Sequence, residues 1–446
     1  MTVQSLAIIN NKVFYNKKNY DMERSDINLY NFHPQLRVIF ALTGVFFDGK
    51  ITIKRFIWPC LSIVELLLSL FFEMMFVIHF WHETDYQSFT ECLCYIVIIG
   101  YGLSIHYCLL TKRKEIVTLL SNMNIEFCYI CTLEYIVASL PCQLQHFTDR
   151  QVPTFTYLFY RGCFLKGQLF IWKLFCVWSL FCLFVLVTLV TLMVLALVYH
   201  SLFATLDEHS VRPLIFPVWL PNDDPYRTPN YESFFCAEVI IVLFLVILFG
   251  VYNYALFHLL LHKYILMDVI ILMLAGLFDD VDPSVAGLPK SSSRRRYTQE
   301  VLNAKIKQII QWHVTVFEVS SIFGLVLVYQ VVFTSFGICL IAYQFAEQLE
   351  QGEINVVFLI FGIQILVQIY IPCYIGTMFR NRSFSVADAC WTSDWHRGLG
   401  MMLRQDLLLI IMRAQKPLTI EFTGLPPVQL ETFFSVSTYL TYSRHQ

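Results

Sequence analysis

The chain has 446 residues, of which 57% are hydrophobic and only 14% charged, whereas a soluble domain usually carries about a quarter of its residues as charges. That balance excludes an ordinary soluble globular protein, and a net charge of −2 supplies no basic surface for nucleic acid. The 31 Lys and Arg therefore inform mainly through their placement.

Residues 1–55 are mixed and polar and contain no apolar leader, so the first true span is expected to act as its own insertion signal. A helix needs about 20 apolar residues to cross the ~30 Å hydrocarbon layer. Six runs meet that length: Phe56 to Phe80, Cys92 to Thr111, Leu174 to Tyr199, Ser233 to His258, Val319 to Phe345 and Ile354 to Phe379. Four of the six contain no charged residue. A seventh run, Pro427 to Ser443, is shorter and carries Glu431.

Two more apolar stretches invite miscounting: Glu126 to Cys142, interrupted by Glu134, and Leu259 to Phe278, interrupted by His262, Lys263 and Asp268. Charge placement decides against them. With seven spans, segments 1–55, 112–173, 259–318 and 380–426 fall on one side and hold 8, 7, 7 and 6 Lys and Arg, leaving 3 of the 31 for the other side. So strong a bias puts the N-terminus in the cytoplasm and the C-terminus outside. Either doubtful stretch, counted as a span, would invert everything after it, so both are expected to be cytoplasmic extensions or interfacial segments.

The largest segment between spans, 112–173, lacks a Gly-rich phosphate loop, a nucleophile elbow and a zinc-type His pair. The expectation is a protein that is not an enzyme and has no cofactor. Cys60, Cys108, Cys176, Cys182, Cys339 and Cys373 lie inside apolar runs, where cysteine acts as a small hydrophobe, and no disulfide framework follows. His258 and His262 stand at metal-ligand spacing, but only Asp268 is near enough to help complete a ligand set. A structural helix end is the favoured reading, with no metal.

Ionisable groups within spans read as functional by default, which singles out Glu65, Glu73 and Glu238. Glu73 and Glu238 lie near the outer ends, where they can reach water, whereas Glu65 lies deeper and should face protein. An ion-coupled transporter would want such groups in several facing helices, and spans two, three, five and six have none. Aromatics such as Tyr95, Tyr199, Phe234, Phe235, Phe358 and Phe361 crowd the outer halves of the spans. They suit an interfacial belt or the wall of a mostly apolar pocket equally well. The loop 279–300, with Lys290 and Arg294 to Arg296 around serines, reads as a solvated segment, with anionic lipid a lesser alternative.

The final third resembles the insect odorant-receptor family through ordered motifs. These are Trp312-His313, then Gln368 to Gly376 (QIYIPCYIG), Ser385 to Trp395 (SVADACWTSDW), Met412 to Leu418 (MRAQKPL), Leu430 to Phe433 (LETF) and Thr441 to Ser443 (TYS). Upstream, Leu214 to Pro221 followed by Tyr231 is similar to the family's second outer loop. Trp391 stands where the family usually has Tyr. The chain stops at Arg444-His445-Gln446, short of the family's apolar closing turn.

The resemblance implies an all-α membrane protein of seven transmembrane helices. Its seventh helix is split into a cytoplasmic part and a pore-lining part, a division that suits Lys416-Pro417 and Gly424 to Pro427. It also implies an odour-tuned subunit of a ligand-gated, non-selective cation channel, a heterotetramer with an odorant co-receptor, in the plasma membrane of olfactory sensory neurons. The implied divisions are a cytoplasmic segment 1–55, a ligand-binding bundle 56–379, and an anchor with pore helix in 380–446. By position, a small volatile odorant is expected to meet Tyr95, Ile99, Thr188, Thr191, Leu195, Phe235, Glu238, Val242, Phe358 and Phe361. The pore is expected at Glu431, Phe434, Ser435, Thr438 and Thr441, and the subunit anchor at Arg404, Leu408 and Met412. A gustatory-type channel is the alternative, disfavoured because Gln446 falls one residue late for that family's closing motif. A secondary transporter would need inverted repeats, and only one helix break is evident.

Overall fold

The structure is a computed structural model that describes residues 28–42, 53–83, 86–138, 154–203, 214, 216, 218–220, 224–279, 281–350, 352, 356–393, 395–396, 398–419 and 427–435. Long uninterrupted apolar sequence produces long helices and, among the described residues, no strand. In chain order they are α1 (Leu29–Phe32), α2 (Gln35–Leu42), α3 (Ile53–Glu83), α4 (Tyr86–Thr111), α5 (Arg113–Ala138), α6 (Thr154–Phe203), α7 (Asn230–Ala275), α8 (Ser293–Glu350), α9 (Val356–Thr392) and α10 (Arg404–Ala414). Residues 430–435 begin a further helix; the rest of the expected seventh span, with Thr438 and Thr441, lies outside the described residues.

Six of these helices are long and apolar enough to cross a membrane: α3, α4, α6, α7, α8 and α9. Their exposed residues are large and apolar. On α3 these include Ile57, Leu61, Val64, Leu68, Phe71 and Ile78, and on α6 Val177, Leu180, Phe184, Val187 and Val194. Spacings of three and four residues put each set on one helix face, and such a face is stable only against lipid. Glu126 lies within α5, and Leu259 to Ala275 continues α7 without a break, so neither doubtful stretch is a separate span.

Helices α6, α7 and α8 contain 50, 46 and 58 residues, or roughly 70 to 85 Å at 1.5 Å per residue. A bilayer accounts for less than half of that length. The remainder gathers α1, α2, α5 and the extended parts of α6, α7 and α8 into a second helical layer around a polar centre. There the Lys263 ammonium donates to both carboxylate oxygens of Glu126 at 2.7 and 2.9 Å and to Thr315 Oγ1 at 3.3 Å. Gln168 Nε2 lies 3.0 Å from His262 Nδ1, its Oε1 lies 3.1 Å from His33 Nε2, and Tyr254 Oη lies 3.2 Å from His258 Nδ1. His258 and His262 thus belong to a buried network inside a continuous helix.

Burial pushes the Glu126 carboxyl up, but the neighbouring His262, 3.5 Å away, and the charge of Lys263 outweigh that and hold it down at about 2. The ion pair is therefore intact at neutral pH. Burial lowers His313 to about 4, with Arg413 adding in the same direction.

Close approach of helices depends on two glycines. A Cβ at Gly167 of α6 would press on Ile265 of α7 at 2.7 Å, and one at Gly250 of α7 would meet Cys182 Sγ at 3.0 Å. Next to the second contact, Trp178 Nε1 donates to the Gly250 carbonyl at 2.9 Å, fixing α6 on α7.

A candidate ligand cavity between five helices

Within the membrane layer, α4, α6, α7, α8 and α9 line a cavity of about 90 Å³. Tyr95 closes one side, set edge-on to Phe216 of the segment between α6 and α7 at 5.0 Å and to Phe361 of α9 at 6.4 Å. Tyr101, two turns further along α4, stacks on Phe249 of α7 at 5.4 Å and lies 6.2 Å from Phe333 of α8. Val185 and Leu189 of α6 and Val242 of α7 complete a mostly aliphatic wall. Aromatic pairs at these separations are favourable, so the cavity is bounded by rings that support one another.

Of the expected contact residues, Tyr95, Val242 and Phe361 are on this wall. Phe358 is fully buried beside them, 6.4 Å from Tyr95, and Ile99 is fully buried in helix packing. Glu238 is buried one turn before Val242 on α7, near enough for its charge to reach Glu73. Cys92 Sγ donates to Glu73 Oε2 at 2.6 Å, so Glu73 is held by protein, and Glu65, expected deeper, is half-buried. Phe235 stacks on Tyr231 at 5.9 Å, outside the cavity wall. Thr188 Oγ1 is spent on its own helix, donating to the Phe184 carbonyl at 2.8 Å, while Thr191 and Leu195 are exposed. The inward face of α6 is displaced from those three to Cys182, Val185 and Leu189.

Sequence reasoning missed Tyr101, Phe249 and Phe333, and the whole contribution of α8. It also missed Gln364 and Gln368, which lie on the wall one turn apart on α9. A signal was available, since two amides four residues apart in an otherwise apolar span are costly unless they face protein or ligand.

Pro372 stands inside α9, has no N–H, and so releases the carbonyl of Gln368 from its helical bond. Gln330 Nε2 of α8 takes up that carbonyl at 2.8 Å. Beyond the proline, α9 holds the start of the last helix: the Leu430 N–H donates to Thr377 Oγ1 at 2.9 Å, and Arg380 Nη1 donates to Gln429 Oε1 and Glu431 Oε1, each at 3.0 Å. Phe433 packs edge-on against Tyr370 at 5.5 Å. Glu431, Phe434 and Ser435 remain on the exposed side of this short helical stretch. On α10, Leu407, Ile410 and Ala414 are buried, Leu408 is half-buried, and Arg404 and Met412 are exposed. One helix, α9, therefore touches both the cavity and the candidate pore segment.

The solved structure of the insect olfactory receptor OR5 from Machilis hrabei aligns with 92% of this chain and 95% of its own at a TM-score of 0.60 and 13% identity. The same receptor in complex with eugenol gives a TM-score of 0.61. At that identity the likeness concerns the fold. Odorant receptor 67c of Drosophila melanogaster is 30% identical over 118 residues, 26% of this chain and 28% of that relative's length. Odorant receptor 10 of Aedes albopictus is 26% identical over 240 residues, 51% of this chain and 57% of the relative. The family model described as 7tm Odorant receptor matches residues 169–439, which is more than half of the chain and takes in the motifs from the third span to Leu430 to Phe433 (LETF). The chain belongs to the insect odorant receptor family.

Proposed function

We propose that the chain is an odour-tuned subunit of a ligand-gated, non-selective cation channel, assembled as a heterotetramer with a co-receptor in the plasma membrane of olfactory sensory neurons. The observation that carries this reading is the largely apolar cavity walled in part by α9, the same helix that seats residues 427–435. Such a cavity fits a small volatile molecule, as eugenol is for the Machilis receptor.

The ligand meets Tyr95, Val242 and Phe361 together with Tyr101, Phe249 and Phe333. Displacement of α9 at Phe361 passes through Thr377 and Arg380 to the pore segment, whose lining includes Glu431, Phe434 and Ser435, and Thr438 and Thr441 beyond it. Opening requires the ligand to bind the open state more tightly than the closed one. The exposed side of α10, with Arg404, Leu408 and Met412, faces neighbouring subunits. Residues 1–55 lie in the cytoplasm, 56–379 hold the ligand-binding bundle, and the C-terminus is outside.

Recording current from cells that express the chain with and without a co-receptor, against a panel of volatiles, tests the reading. Odour-evoked current only in the co-expressing cells supports it, and solute uptake without conductance overturns it. Phe361→Ala is expected to shift odour sensitivity at least about tenfold, as removal of a buried ring from a binding wall does. Phe235→Ala, outside the wall, is expected to shift it by less than about threefold.

A further inference from the structure

The cavity wall is apolar apart from a short polar strip, and the amides of that strip are incompletely satisfied. Gln368 is 4% exposed, and its Nε2 has no hydrogen-bond partner among the described residues. Gln364 Oε1, one turn away on the same helix, has none either. The Tyr101 hydroxyl lies beside the Gln368 side chain without closing a hydrogen bond to it. The Gln368 backbone carbonyl, by contrast, is satisfied by Gln330, so the unmet demand belongs to the side chains that border the cavity.

Buried polar groups of this kind are costly when left unpaired and rewarding when a ligand pairs them. Side chains four residues apart on a helix stand about 5–6 Å apart at Cβ, a separation that one oxygen between the two amides can bridge. We infer that the cavity selects small molecules bearing a single hydroxyl, alcohols and phenols, whose oxygen accepts from one glutamine amide and whose hydrogen is donated to the other. The inference rests on the cavity being the ligand site.

A hydroxyl is the group that fits because it donates and accepts at one atom. Rotating both amides by half a turn exchanges donor and acceptor between them, and the hydroxyl serves both arrangements. An ether or a ketone can only accept, and a hydrocarbon leaves both amides unpaired. A cationic amine would find no carboxylate among the described residues of the wall. The cavity of about 90 Å³ is also smaller than the ~150 Å³ of an engineered cavity that admits benzene. Short alcohols therefore enter most readily, and phenols require the surrounding rings to part.

The test compares pentanol, methyl butyl ether and hexane, which match in heavy-atom count, on purified full-length protein in lipid nanodiscs. The readout is the concentration of each giving the half-maximal rise in melting temperature. Pentanol is expected to act at concentrations at least about tenfold below hexane, with the ether between them. Gln368→Leu and, separately, Gln364→Leu are expected to reduce that advantage to about threefold or less without weakening hexane, a change of ratio that general loss of stability would not produce.

Leu189→Trp, which fills the cavity from α6, is expected to weaken all three ligands. If Leu189→Trp alters none of them, the cavity is not the ligand site and the functional reading falls with the inference. If it weakens all three while pentanol and hexane differ by less than about threefold in the unaltered protein, or if both Gln variants keep the full pentanol advantage, selection by the hydroxyl alone is overturned.

Discussion

Lys263 is fully buried, and its charge is offset by Glu126 and Thr315. Removing one member of a buried pair leaves the other uncompensated, which costs about 3–5 kcal/mol, whereas replacing both by apolar residues is often neutral or stabilising. Glu126→Gln is therefore expected to lower the melting temperature of the detergent-solubilised protein sharply, and Glu126→Leu with Lys263→Met to restore most of the loss. His313 gives a different signature. Its folded value of about 4 lies below the ordinary 6.5, so as pH falls the unfolded chain takes up the proton first. Stability is then lost between pH 6.5 and 4 and is unaffected above that window. His313→Asn should flatten the dependence of melting temperature on pH there. Glu126, held at about 2 in the folded protein against an ordinary 4.5, begins to cost stability only at the acid end of that window, where the unfolded carboxyl takes up its proton, so the slope between pH 6.5 and about 5 is free of it.

At the scale of elements, the seat of the last helix depends on Gly376. A Cβ there would overlap the carbonyl oxygen of Val428, and because that atom is backbone, residues 427–429 must shift as a unit. Gly376→Ala is expected to destabilise this seat by about 1–3 kcal/mol and to abolish ligand-evoked current while surface expression persists. Gly362→Ala, whose Cβ would only touch Ile341 at 3.5 Å, is the matched control and should conduct normally.

The six spans were legible in the sequence because each is an apolar run long enough to announce itself. The continuity of α7 past His258 was not: His262, Lys263 and Asp268 read as interruptions. Their partners, Gln168, Glu126 and Arg382, come from other helices. The cavity was half legible for a related reason. Tyr95, Val242 and Phe361 stand out by type and position, but α6 is apolar on every face, and no local signal separates inward Val185 and Leu189 from outward Leu195.

For the whole molecule, the placement of 28 of the 31 Lys and Arg on one side predicts the direction of every crossing. An antibody against a tag placed before Met1 should stain cells only after permeabilisation, whereas a tag in the segment joining α6 to α7 should be reached on intact cells. The reverse pattern would invert the proposed assembly of cavity outside and extended bundle inside. That bundle is not a separate module, since α8 runs without interruption from Ser293 to Glu350 and carries Phe333 on the cavity wall. About 60 Å of helix separate Phe333 from the start of α8 at 1.5 Å per residue. A rod of that length acts as a lever. A tilt of one degree at the cavity carries its far end by about 1 Å, so under the proposed function a ligand that spreads two rings is expected to move the far helical layer by about that distance.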